Sequence, residues 1–187
     1  PVSEEILINV TPPETRVALL ENGVVQEIII ERAGRRGLVG DIYKGRICRV
    51  LPGMQAAFVD IGLERAAFLH ASDIQANEEN RHELIESLLH DGQEIVVQVV
   101  KDPLGTKGAR LTTNLSIPSR YMVFMPSLEH AGVSQKIEDD AERQRLRDIL
   151  NQTVTSEGIK GNFIARTAAE GASETALCSD MKFLARL

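Results

Sequence analysis

Aromatic residues are scarce in this chain, whose 187 residues include five Phe, two Tyr and no Trp. A binding surface built from many aromatic side chains is therefore excluded, and any aromatic site must be small. Cysteine is equally scarce. Cys48 and Cys178 are too far apart in sequence for a zinc-binding pair, and two cysteines exclude a disulfide-rich scaffold. We expect both to be buried, reduced thiols.

Long apolar runs and excess positive charge are also missing. No apolar run approaches the roughly 18–20 residues of a membrane-spanning helix, and the start has no basic segment followed by an apolar one. These absences predict a cytoplasmic protein with no membrane partner. Lys and Arg number 21 against 27 Asp and Glu, a formal net charge of -6. Nucleic-acid binding through bulk positive charge is therefore excluded, so such a site would have to be local.

The first of three predicted regions, residues 1–37, is rich in β-forming residues. Two or three antiparallel strands are expected between Ile6 and Glu31, because Asn22-Gly23 between apolar alternating runs is a strong hairpin pattern. This region is too short to bury a core alone. We expect it to need a partner surface elsewhere.

The second region, residues 38–118, alternates like a small β-barrel. Three strands joined by short turns precede a helix at 82–90, where Leu84, Leu88 and Leu89 recur at helical spacing. Two further strands follow it. Five strands with an interposed helix predict a Greek-key barrel of the OB type. The chain is thus predicted to be α+β and mainly β.

The third region, residues 119–187, is predicted to mix strands and helices. Strands are expected at 121–126, 130–138 and 162–168. Asp139 or Asp140 is suited to cap a helix that buries Leu146, Ile149 and Leu150, and Ser173 is suited to cap a second that buries Leu177, Met181 and Leu184. That last helix runs to the final residue without a stop residue, which predicts a chain cut short.

Two aromatics stand out in the barrel region, Phe58 and Phe68, in adjacent predicted strands. OB barrels bind single-stranded nucleic acid by stacking bases on exposed aromatics. Small neighbours such as Ala57 and Ala67 would leave the rings accessible. Phe in a strand is more often a core residue, however. The pattern by itself leaves a stacking surface and a core pair as alternatives.

Several side chains near these two strands could contact phosphates. Three lie on the first barrel strand and two flank the fifth: Tyr43, Lys44, Arg46, Lys107 and Arg110. Acidic residues outnumber basic ones within 38–118, so some of these cations could instead neutralise neighbouring acids.

Longer stretches carry a family resemblance. They are DIYKG (41–45), PGMQAAFVDIG (52–62), AAFLHASDI (66–74), KDPLGTKGARLTT (101–113) and SRYMVFMP (119–126). Together they resemble the amino-terminal part of the RNase E/G family, whose members are single-strand-specific endoribonucleases of rRNA processing and mRNA decay. The resemblance implies an OB barrel of the ribosomal S1 type inserted in a partial RNase H-like subdomain, followed by a sensor region for the RNA 5′ end. It also places Phe58, Phe68 and Lys107 at RNA-binding positions.

The resemblance implies a 5′-phosphate pocket in the third region. Arg166 and Thr167 match the pair that grips a 5′-monophosphate, and an Arg guanidinium suits phosphate geometry. Val123 matches the wall against the first base. Two positions depart from the family pattern. Gln135 replaces a pocket cation, with Lys136 next to it as a substitute, and Ser119 replaces a glycine of the rim.

Catalytic residues are not assigned in this chain. The resemblance implies a magnesium ion held by two aspartates and zinc held by paired cysteines between subunits of a homo-oligomer, all beyond residue 187. No CxxC occurs here, and the chain alone is expected to be inactive. Two alternatives stay open: a stand-alone OB-fold RNA-binding protein or RNA chaperone, and a protein-interaction scaffold with Phe58 and Phe68 as contact residues.

Overall fold

The computed structural model describes residues 2–35, 37–75 and 83–187. Its backbone forms two compact units, one ending at Leu38 and one beginning at Val39. Among the described residues, no helix combines the length and apolar character needed to cross a membrane.

The first unit is an antiparallel three-stranded sheet of β1 (Glu4–Val10), β2 (Glu14–Glu21) and β3 (Val24–Arg32). Asn22 and Gly23 join β2 to β3 with φ angles of 50° and 78°. Positive φ at both central residues suits the right-handed twist of a tight hairpin, and Asn-Gly tolerates it best. The predicted hairpin is confirmed.

This sheet buries almost none of its apolar side chains. Every residue of β1 and β3 is exposed. The exposed large apolar residues of the two strands are Ile6, Leu7, Ile8, Val10, Val24, Val25, Ile28, Ile29 and Ile30. Three strands with both faces open form no core of their own, as their length predicts.

The second unit begins with a closed five-stranded barrel. Its strands are β4 (Ile42–Leu51), β5 (Ala56–Asp60), β6 (Ala67–His70), β7 (Glu94–Lys101) and β8 (Arg110–Thr112). They close in the order β4-β5-β6-β8-β7, with β6 and β8 parallel and the other pairs antiparallel. Inward residues such as Ile47, Val59 and Leu69 fill the interior. The predicted OB-type barrel is confirmed.

The helix between β6 and β7 is shorter than predicted. It is the single turn α1 (Ile85–Leu88), and His82 lies outside the described residues. Leu84 is 54% exposed, whereas Ile85 and Leu89 are buried. The predicted stripe of Leu84, Leu88 and Leu89 is therefore wrong, because α1 is a single turn that begins after Leu84 and buries Ile85 instead.

The expectation of two buried thiols is wrong for Cys48, whose side chain is exposed. The pairing of β4 with β5 shifts register between Ile47 and Arg49, which makes Cys48 the extra residue of a β-bulge. Because Ile47 before it points into the barrel, the alternation of the strand turns Cys48 outward. Cys178 is half-buried, with its Sγ 3.3 Å from Thr153 Oγ1.

The last part of the second unit packs two helices on a small sheet. The sheet order is β11 (Gly132–Val133), β12 (Asn162–Ala165), β10 (Met122–Met125) and β9 (Ile117–Pro118). The helices are α2 (Asp140–Glu157) and α3 (Glu174–Leu184). The predicted strand at 130–138 is thus reduced to two residues.

Both helices begin at the predicted caps. The Asp139 carboxylate accepts from the Ala141 N–H at 3.1 Å, and Ser173 Oγ accepts from the Ala176 N–H at 3.3 Å. Each cap satisfies one of the amides that a helix start leaves unpaired. The predicted apolar faces are buried in one cluster with Met122, Phe124 and Phe163.

Candidate nucleic-acid interface

Phe58 and Phe68 form a cross-strand pair on the outer surface of the barrel. Their Cα atoms are partners in the β5–β6 register, and their ring centroids lie 6.2 Å apart with planes inclined by 68°. Residues that alternate with them, such as Val59 and Leu69, are buried inside the barrel. The Phe58 side chain is 37% exposed and that of Phe68 is half-buried. The structure thus places both rings outside the barrel core.

The alanines near these rings lie elsewhere than expected. Ala56, Ala57 and Ala67 are fully buried, and only Ala66 is exposed. Small inward residues fit a narrow barrel interior. The rings are accessible because they face outward. The expectation that neighbours such as Ala57 and Ala67 leave them accessible is wrong, since both alanines face the interior.

A third ring, His70, continues the pair along β6. Its centroid lies 6.5 Å from that of Phe68, with the planes inclined by 32°. Nδ1 of His70 accepts the Ser72 backbone N–H at 3.1 Å and lies 2.8 Å from Ser72 Oγ, which leaves Nε2 to carry the proton of the neutral ring. Sequence reasoning missed this residue, although its spacing of two from Phe68 on one strand predicts a shared face.

Lys107 occupies a tight turn beside the same strand. Leu104 and Lys107 exchange backbone hydrogen bonds of 3.1 and 3.0 Å, and Gly105 between them has a φ of 57°. The Arg65 guanidinium donates to the Gly105 carbonyl, which ties the turn to the start of β6. The Lys107 side chain is exposed, and within the part of the chain described it forms no ion pair.

The predicted cations of the first barrel strand are largely neutralised. Lys44 Nζ lies 2.6 Å from a Glu94 carboxylate oxygen, and Arg46 Nη2 lies 3.9 Å from the other oxygen. The hydrogen bond from Lys44 lowers the pKa of Glu94, so that carboxylate keeps its charge. A phosphate at Lys44 would therefore compete with Glu94. Tyr43 is half-buried, and its hydroxyl lies 3.5 Å from an Asp41 oxygen.

Arg110 is paired as well. It lies opposite Phe68 in the β6–β8 register, and its Nε and Nη2 donate to Asp73 Oδ2 at 2.9 and 2.8 Å. The Thr112 hydroxyl donates to the Asp73 carbonyl at 2.8 Å and holds the same turn. Arg110 is thus a fixed edge of the aromatic surface whose charge Asp73 already balances.

The predicted 5′-phosphate residues gather at one end of the small sheet. Arg166 and Thr167 directly follow β12, and both are exposed. The Arg166 backbone N–H donates to the Tyr121 carbonyl at 2.8 Å, and its guanidinium donates to the Ser119 carbonyl. Val123 lies on β10, opposite Pro118 and Ile164. These contacts place the turn at Ser119 beside Arg166.

Asp180 on α3 anchors the turn at Ser119, and sequence reasoning missed this residue. Its Oδ2 accepts the Ser119 hydroxyl at 2.5 Å and the Tyr121 backbone N–H at 3.1 Å. The Ser119 hydroxyl thus links the turn before β10 to α3, through a hydrogen bond that a glycine there could not make. The sequence did offer an indication, because Asp180 lies three residues after Leu177 and four before Leu184, which puts its carboxylate on the buried face of α3.

Gln135 and Lys136 lie on the segment that follows β11. The Ser134 N–H donates to the Ala165 carbonyl at 2.8 Å, which brings this segment beside the residue that precedes Arg166. The Lys136 backbone N–H lies 3.3 Å from Ser134 Oγ, and its side chain is exposed. The fold therefore places this cation near the end of β12.

A metal centre would need several His, Cys, Asp or Glu side chains close together among the described residues, 2–35, 37–75 and 83–187. No group of three or more His, Cys, Asp or Glu side chains there is arranged to hold a metal ion.

Comparison with known proteins gives two matches to family models along the chain. Residues 38–113 match the S1 RNA binding domain, and residues 116–187 match the Ribonuclease E/G family. The first match covers the barrel, and the second covers the small sheet with α2 and α3.

Whole relatives give the same result. Ribonuclease G of Escherichia coli strain K12 is 56% identical over 195 residues, which cover 100% of this chain and 39% of that protein. Ribonuclease G of Haemophilus influenzae is also 56% identical, over 98% of this chain and 38% of the relative. Ribonuclease E of Escherichia coli strain K12 is 39% identical, over 96% of this chain and 17% of the relative. The chain thus spans about two fifths of the length of these ribonuclease G relatives.

Proposed function

This chain belongs to the Ribonuclease E/G family, with that family's domain beside an S1 RNA binding domain, and we propose that it is the RNA-binding and 5′-end-sensing part of a single-strand-specific endoribonuclease. Its substrates in this proposal are single-stranded RNAs that carry a 5′-monophosphate, in rRNA processing and mRNA decay. The whole enzyme acts as a homo-oligomer in the cytoplasm.

The outward pair of Phe58 and Phe68 is the observation that carries this proposal. Base stacking on aromatic rings tolerates any sequence, because every base has a π-face. The pair suits single-stranded RNA better than duplex RNA, whose bases are already stacked on one another. Lys107 on the neighbouring turn supplies a cation for the backbone.

The 5′ end is proposed to bind at Arg166. A terminal monophosphate carries close to two negative charges near pH 7, and a hydroxyl end carries none. Arg166 and the Thr167 hydroxyl would hold the phosphate, Lys136 would add charge, and Val123 would contact the first base. Charge-assisted hydrogen bonds of this kind separate the two ends by about 1.5–3 kcal/mol.

Bond cleavage is proposed to be metal-assisted, with magnesium activating a water against the phosphodiester in the whole enzyme. Among the described residues, no group of three or more His, Cys, Asp or Glu side chains is arranged to hold a metal ion. Their part in the reaction is therefore to bind the RNA and to fix its 5′ end.

The first test is fluorescence anisotropy of a short labelled single-stranded RNA with the purified chain, across a salt series. Phe58→Ala and Phe68→Ala should each weaken binding roughly 5- to 150-fold, because a stacked base contributes about 1–3 kcal/mol. Phe183→Ala is the matched control, since Phe183 is also exposed but lies on α3. Unchanged affinity in both barrel variants would contradict the stacking surface. No detectable RNA binding at any salt concentration would favour the protein-scaffold alternative.

The same assay tests the 5′ site with matched RNAs that carry a 5′-monophosphate or a 5′-hydroxyl. The monophosphate form should bind more tightly, and Arg166→Ala should remove the difference while leaving the binding of the hydroxyl form intact. Arg186→Ala, just beyond the end of α3, is the control. Equal binding of both RNAs to the unaltered chain would leave the barrel site in place and exclude the 5′ pocket from this chain.

A further inference from the structure

Three of the predicted barrel cations, Lys44, Arg46 and Arg110, share the carboxylates of Glu94 and Asp73, so most of their positive charge is already balanced. We propose that Arg49 is the phosphate-binding cation of strand β4, in place of Lys44 and Arg46. The inference rests on the proposed RNA-binding function and extends it to a residue that the sequence pattern did not single out.

The register of the barrel places Arg49 beside the aromatic pair. The Cα atoms of Arg49 and Phe58 are partners between β4 and β5, and those of Phe58 and Phe68 are partners between β5 and β6. Side chains directly opposite on an antiparallel pair start about 4.5–5.5 Å apart. Arg49, Phe58 and Phe68 therefore form one row across three neighbouring strands.

The bulge at Cys48 creates this arrangement. Ile47 points into the barrel and is buried, so strict alternation would turn Cys48 outward and Arg49 inward. The extra residue shifts the register, and Arg49 is exposed instead. A long cation thus reaches the outer face at the position next to Phe58.

The charged neighbours separate Arg49 from the other cations of β4. Arg46 lies opposite Asp60 on one side and Glu94 on the other, and Glu94 also pairs with Lys44 at 2.6 Å. Arg49 lies opposite an aromatic ring, and across the described residues it forms no ion pair. The nearby Asp91 carboxylate accepts the Val50 backbone N–H at 2.8 Å.

The result is a short track with a cation at each end. Arg49 lies on the Phe58 side, and Lys107 lies on the far side of Phe68, in the turn that leads into β8. Neighbouring strands are about 4.8 Å apart, so three strands span about 10 Å. Two stacked bases on this row would leave their flanking phosphates at Arg49 and Lys107.

The test is Arg49→Gln in the anisotropy assay, with Arg46→Gln on the same strand as the matched control. One lost phosphate contact lowers the slope of log affinity against log salt by about 0.7 for single strands, which corresponds to about fivefold weaker binding at 0.1 M salt. We expect this change for Arg49→Gln and less than a twofold change for Arg46→Gln. Thermal unfolding of both variants checks that the barrel is intact, as expected for exposed side chains.

Equal effects of the two substitutions, or an unchanged salt slope in Arg49→Gln, would overturn the proposal. The unaltered chain and Phe58→Ala separate this failure from failure of the proposed function. If the unaltered chain binds RNA and Phe58→Ala weakens it while Arg49→Gln does not, the stacking site stands and only the role of Arg49 is lost.

Discussion

At the scale of single residues, Gly108 determines where Lys107 can lie. A Cβ at this position would be 2.0 Å from the carbonyl oxygen of Ala66, in a backbone that cannot move without displacing β6. Phe68 donates its N–H to the Ala109 carbonyl at 2.7 Å, immediately after this contact. Glycine here lets the turn and the aromatic strand approach each other closely.

Gly108→Ala should therefore impair both folding and binding. Overpacking of this kind typically costs about 1–3 kcal/mol, which urea unfolding would detect, and the displaced Lys107 should weaken RNA binding in the anisotropy assay. Gly53→Ala is the control, because a Cβ there would have no atom within 4 Å. Equal stability of the two variants would show that the turn yields without cost.

At the scale of elements, the first turn of α2 is linked to the loop that follows β12. The Glu142 carboxylate accepts from the Arg145 side chain at 2.7 Å through each of its oxygens, and from the Gly171 N–H at 2.9 Å. Arg145 also donates to the Ala172 carbonyl at 3.1 Å. This loop begins with Arg166 and Thr167, so the contacts from α2 hold the loop that carries the proposed 5′ site.

The pH dependence of stability should report this link. The hydrogen bonds from Arg145 and then from the Gly171 N–H lower the pKa of Glu142 to about 2, from an ordinary 4.5. A folded-state pKa below the unfolded one stabilises the fold above about pH 4.5, and that contribution is lost as the pH falls towards 2. Unfolding free energies measured from pH 6 to pH 2 should therefore decline less steeply in Glu142→Gln than in the unaltered chain.

Glu138→Gln serves as the control for that series, because Glu138 is exposed just before the helix. Its unfolding curve should keep the decline of the unaltered chain. If Glu142→Gln showed the same decline, the carboxylate would contribute nothing to stability in this range, and the support of the loop would have to come from Arg145 and the Ala172 carbonyl.

At the scale of the whole molecule, the charge and the binding sites are distributed unevenly. The formal net charge is -6, yet exposed cations occur at Arg49, Lys107, Lys136 and Arg166. Long-range attraction of RNA is therefore weak, and binding must depend on short-range contacts at these positions.

Binding and cleavage should separate completely in this chain. We expect no cleavage of single-stranded RNA in the presence of Mg²⁺, and we expect EDTA to leave the RNA affinity unchanged, because no group of three or more His, Cys, Asp or Glu side chains among the described residues is arranged to hold a metal ion. Gel analysis of labelled RNA after incubation measures cleavage, and the anisotropy assay with and without EDTA measures the affinity. Cleavage that needs Mg²⁺ and persists through purification would contradict the assignment of catalysis to other parts of the enzyme.

Local chain chemistry was sufficient to predict most elements. Asn22-Gly23 tolerates positive φ, and Asp139 and Ser173 satisfy the first amides of α2 and α3. Each of these depends on a few neighbouring residues, whose preferences act in the unfolded chain as well. The OB-type barrel followed from the order of such elements.

Contacts between strands decided the rest, since no local pattern encodes them. The bulge at Cys48 exists only in the pairing of β4 with β5, and it alone brings Arg49 opposite Phe58. Glu94 neutralises Lys44 because β7 closes the barrel against β4, about fifty residues along the chain. A shift of one residue in register reverses which side chains face outward. For that reason, the sequence could single out Phe58 and Phe68, whereas the outward direction of their rings and the exposure of Arg49 beside Phe58 depended on the tertiary structure.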